Sequence, residues 1–137
     1  MKYLSARSLR KRRRGAAITE FAVVLPVLVL MFFATIEACG MINLEQSLKV
    51  AAYEAARVAL VPGTTIGNVT ATAEQVMDDR NVVKGTVTVT PSNYANLPAG
   101  TYIKVTVTAP AKGNSLVGAW FFGGKTLTSS VEMMKES

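Results

Sequence analysis

The chain has no histidine and a single cysteine, Cys39. Without histidine it lacks the commonest general base and the commonest zinc ligand. One cysteine excludes an intrachain disulfide. There is no phosphate-binding glycine loop, and the only adjacent acidic pair is Asp78-Asp79. That pair is expected at the solvated end of a helix, not around a metal. No residue set recommends an enzyme, and no cofactor or metal is expected.

Positive charge is also scarce outside one short region. Residues 1–15 carry Lys2, Arg7, Arg10, Lys11, Arg12, Arg13 and Arg14, a charge of +7. Residues 16–137 carry eight basic and nine acidic residues, a charge of −1, so the +6 of the whole chain belongs to its first 15 residues. A near-neutral body argues against a phosphate-binding surface, and no nucleic-acid partner is expected.

An apolar run follows the basic block. From Ala16 to Ile36 only Thr19, Glu20 and Thr35 are polar. As a helix these residues span roughly 31 Å, about one bilayer core. Eleven residues from Phe21 to Ile36 are Phe, Val, Leu or Ile. Their insertion is worth at most roughly −3 to −7 kcal/mol, which offsets a carboxylate near the membrane edge. Pro26 should kink the helix or locally free a carbonyl, which membrane helices tolerate. The flanking block Arg10-Lys11-Arg12-Arg13-Arg14 predicts a single pass through the cytoplasmic membrane, N-terminus inside and body outside.

Helical periodicity resumes after Gly40, with Leu44, Leu48, Ala51, Ala55 and Val58 or Ala59 on one stripe. Glu45–Lys49 and Glu54–Arg57 are spaced to pair on the surface. The pattern predicts one helix from Ala16 to Leu60, ended by Pro62-Gly63. Its parts are a membrane helix at 16–36 and a helical stalk at 37–61.

Residues 62–137 read as an extracytoplasmic α+β domain. Asn68-Val69-Thr70 fits a glycosylation sequon but reads better as a helix start. Thr70 or Thr72 would cap a helix reaching Arg80, with Val69, Ala73, Val76 and Met77 facing the core. Val83–Thr90, Tyr102–Thr108 and Thr126–Met133 alternate valine, isoleucine or leucine with threonine or other polar residues. That pattern predicts a one-sided antiparallel sheet of three strands, with room for a fourth. Between the last two strands lie Trp120, Phe121 and Phe122. They read either as a lid over the sheet edge or as an exposed contact patch for a partner or lipid.

Cys39 follows Ile36-Glu37-Ala38, a partial lipobox. Glu37 stands where a lipoprotein signal needs a small or aliphatic residue, which disfavours that reading.

The most specific element is Gly15 to Phe21. It resembles the prepilin-peptidase site of type IV pilins: a basic leader, a glycine, then an apolar helix with Glu fifth and Phe sixth. The wider segment RRRGAAITEFAVVLPVLVLMFFATIEACGMI resembles TadE-like minor pilins of the tight-adherence (Flp-type) pilus system. The closing GGKTLTSSVEMMKES is similar to the end of that family. The chain departs in having Cys39-Gly40 where an aromatic-glycine pair is expected. The resemblance implies cleavage between Gly15 and Ala16 by a prepilin peptidase. It also implies a structural role in pilus assembly or a related secretion machine, with other pilins and assembly proteins as partners. On the same resemblance, Glu20, beside Phe21, would pair with the new α-amine of Ala16 on a neighbouring subunit. A second reading is an unprocessed membrane-anchored binding module, its body recognising a surface ligand.

Overall fold

A computed structural model describes residues 5–93 and 98–136, with side chains described from Gly15 onward. The chain divides into a unit ending at Thr35 and a unit from Ile36 to Ser137. The elements in order are α1 (Ser5–Ala59), α2 (Ile66–Asp79), β1 (Thr86–Thr90), β2 (Tyr102–Pro110) and β3 (Thr126–Met134). The class is α+β, and the sheet has three strands.

Helix α1 begins at Ser5, earlier than the expected Ala16, and ends at Ala59. Arginine and lysine are good helix formers, and a single glycine costs only about 1 kcal/mol, so Gly15 does not start a new element. Pro26 lies inside α1 without ending it. Within the first unit the side chains from Gly15 to Phe33 are exposed. This helix is long and apolar enough to cross a membrane.

In the second unit α1 turns amphipathic. Leu44, Leu48, Ala51, Ala52, Ala55, Ala56 and Ala59 are buried, a wider stripe than the expected one. The opposite face carries the two surface pairs, Lys49–Glu45 at 2.8 Å and Arg57–Glu54 at 3.8 Å. After Ala59 the chain turns, and Gly63 takes a positive φ of 79°.

Helix α2 is capped by Thr65, whose side chain accepts from the Asn68 N–H. The expected caps Thr70 and Thr72 lie inside the helix instead. Their hydroxyls donate back to the carbonyls of Ile66 and Gly67, and of Asn68. Thr65 has the extended backbone a cap requires, and threonine within a helix turns its hydroxyl to the preceding turn. Val69, Ala73 and Met77 are buried along one face, as the spacing predicts, while Val76, expected with them, is partly buried. Beyond Arg80, Asn81 adopts a left-handed φ of 55°, and the Val82 N–H returns to the Met77 carbonyl at 2.8 Å. This is the asparagine form of a left-handed helix stop.

The sheet is an antiparallel meander in the order β1-β2-β3. Val105 of the central strand faces Val89 on one side and Val131 on the other. Ile103, Val105, Val107 and Ala109 are buried in alternation, while Val87, Val89, Leu127, Val131 and Met133 on the outer strands are partly buried. These residues, the α1 stripe and the α2 face form one apolar cluster. Full burial of each valine, leucine or isoleucine contributes about 1.5–3 kcal/mol, so this cluster carries the second unit. The solvent face of β1 and β2 presents Thr86, Thr88, Thr90 and Lys104.

β1 starts at Thr86, later than the expected Val83, because Val83 is held elsewhere. Its N–H donates to the Asn114 side-chain oxygen at 2.7 Å, and its carbonyl accepts from the Asn114 amide at 2.9 Å. The same amide also reaches the Pro110 carbonyl at 2.7 Å.

Candidate functional site

Two segments carry residues singled out by sequence, one in each unit. In the first, Gly15, Ala16, Glu20 and Phe21 all lie within α1. Thr19 donates its hydroxyl to the carbonyls of Ala16 and Gly15, at 2.8 and 3.2 Å. Glu20 and Phe21 are exposed, and no ion pair forms on Glu20 among the described residues. The backbone of Arg10, Lys11, Arg12, Arg13 and Arg14 is helical; their side chains lie outside the described residues.

In the second unit the decisive residue is Glu37, the first charged residue after the apolar run. It is only 1% exposed. Its carboxylate accepts from the backbone N–H of Phe121, at 3.2 Å to Oε1 and 3.1 Å to Oε2. The N–H of Phe122 donates to Oε1 at 2.9 Å. No lysine or arginine pairs with Glu37 among the described residues. A buried carboxylate needs such donors, because desolvation without them is costly.

The loop between β2 and β3 is shaped to supply those donors. Ala111 N–H donates to the Lys125 carbonyl at 2.8 Å and closes its base. The Ser115 hydroxyl oxygen accepts from Val117 and Ala119. Gly118 and Ala119 take left-handed φ values of 89° and 57°. These two left-handed residues turn the chain just ahead of the donors, Phe121 and Phe122. A non-glycine residue there costs about 1–2 kcal/mol, so the hydrogen bonds must hold it. A Cβ on Gly123 would overlap the Ala119 carbonyl oxygen, which explains glycine at that turn.

The loop's apolar side chains point away from this network. Leu116 is 84% exposed, Trp120 76% and Phe121 51%. Phe122 is half-buried, and the Lys125 ammonium sits 5.4 Å from its ring centroid. Trp120 and Phe121 therefore do not form a lid over the sheet. The anchoring role of Glu37 is not evident from its neighbours in sequence, since its donors lie 84 and 85 residues away. The signal for it was a carboxylate at the end of an apolar run, with no cation nearby in sequence to balance it.

Cys39 is exposed and free. Asp78 and Asp79 are exposed at the end of α2, and no group of metal-ligating residues occurs among the described residues.

No curated protein and no solved structure matches the chain. The family model that matches is that of TadE-like proteins, over residues 15–57, beginning at Gly15 and ending two residues short of the end of α1. Over its apolar helix and the amphipathic continuation, the chain is similar to TadE-like proteins.

Proposed function

We propose that the protein is a structural subunit of a Tad-type pilus system, cut between Gly15 and Ala16 and anchored by α1. Support comes first from the TadE-like match, which starts at the glycine of the expected cleavage site. The observation that carries the pairing role is Glu20: an exposed carboxylate in an apolar segment, with no ion-pair partner among the described residues. In lipid such a charge calls for a counter-ion. Cleavage would create one, the α-amine of Ala16, on a neighbouring subunit. The carboxylate also favours its own helix N-terminus once the leader is gone. On this reading the partners are a prepilin peptidase, other pilins and pilus assembly proteins, with the body on the extracytoplasmic side. The work done is assembly and not catalysis.

The test is the N-terminus of the mature protein. Mass spectrometry of protein from cells with active prepilin peptidase is expected to find Ala16 first. An intact Met1 would overturn the processing and favour a tethered binding module.

A further inference from the structure

Glu37 follows immediately on Ile36, the last residue of the apolar run. The backbone N–H groups of Phe121 and Phe122 lie within 3.2 Å of its carboxylate. The loop is therefore fastened at the level where the apolar run gives way to polar sequence. We propose that this loop is an interfacial membrane anchor. Leu116, Trp120 and Phe121 enter the boundary between headgroups and acyl chains of the leaflet from which α1 emerges, and Glu37 sets their depth. The proposal rests on reading α1 as a membrane span.

Three observations favour lipid as the occupant. The exposed side chains are leucine, tryptophan and phenylalanine, and tryptophan concentrates at bilayer interfaces. Several of the loop's backbone groups are already paired: Ser115 takes the N–H groups of Val117 and Ala119, Glu37 takes those of Phe121 and Phe122, and the Lys125 N–H returns to Phe122. Each such bond lowers the cost of bringing irregular backbone toward the hydrocarbon boundary. Finally, residues 111–125 carry Lys112 and Lys125 and no acidic residue, so the rim suits lipid phosphates. The loop adds a second, shallower hold on the bilayer.

Trp120 is the only tryptophan in the chain, so its emission reports this loop alone. The full chain would be placed in nanodiscs of phosphatidylcholine brominated at shallow or deep acyl positions. The expected result is blue-shifted emission, quenched more by shallow than by deep bromines. Emission typical of water without quenching would overturn the proposal. Blue-shifted emission without quenching would overturn it too, since a protein would then cover the loop. Failure to co-elute with discs would instead remove the span reading. Leu116→Asp alters an exposed side chain and should weaken quenching while leaving the unfolding temperature unchanged; unaltered quenching would count against the anchor. Glu37→Ala should weaken quenching with the protein still in the discs, and an unchanged signal would refute its role in setting depth.

Discussion

The N–H of Phe122 donates to Oε1 of Glu37 at 2.9 Å, joining two residues 85 positions apart. Hydrogen bonds to a charged group contribute about 1.5–3 kcal/mol each. Glu37→Ala removes the acceptor for two N–H groups and should destabilise the body by about 2–3 kcal/mol. Glu37→Gln keeps one carbonyl oxygen and should lose roughly half as much. Denaturant unfolding of the detergent-solubilised protein measures both. Equal stability of wild type and Glu37→Ala would remove the latch from the account of the fold.

The cap of α2 is a second point of decision. Thr65→Ala should cost about 1 kcal/mol, because Asn68 N–H loses its side-chain acceptor. Thr72→Ala should cost less, since that hydroxyl only repeats a bond to the Asn68 carbonyl inside the helix. Unfolding midpoints of the two variants should therefore separate in that order.

The alanine stripe of α1 makes an opposite prediction to the usual truncation. Ala55 is fully buried in the apolar cluster. Ala55→Leu should destabilise by about 1–3 kcal/mol through overpacking, although it adds apolar surface. Tyr53→Ala, on the exposed side of the same helix, should change stability little. Thermal unfolding distinguishes the two.

Processing and pairing separate at two residues. Gly15→Ala is expected to accumulate full-length precursor, read by gel mobility or mass. Glu20→Ala is expected to leave cleavage intact while reducing co-purification with pilus components. Normal co-purification would refute the pairing of Glu20 with a neighbouring amine.

Much of the architecture was legible because its causes are periodic. Leu44, Leu48 and Ala51 follow the helical repeat, and Ile103, Val105 and Val107 follow the strand repeat; both sets are buried. The cap was misplaced because three threonines, Thr65, Thr70 and Thr72, compete within one turn or two. Only backbone conformation distinguishes the extended residue from the helical ones. The start of α1 was misplaced because charge marks topology but does not break a helix. Glu37 stood out in the sequence only as the residue that spoils a lipobox before Cys39. Its donors are backbone groups, which no side-chain pattern advertises, and they lie in a loop with left-handed residues at Gly118 and Ala119.

The span between Glu37 and Phe122 also imposes an order in time. Each strand pairs with the next one along, so the meander can close locally as it is made. The carboxylate has no such neighbour. It must stay hydrated while the ribosome produces the following 85 residues, and it can leave water only when the final loop arrives. Shedding of its hydration is thus a late event in the folding of the body, coming after β1 and β2 have been made.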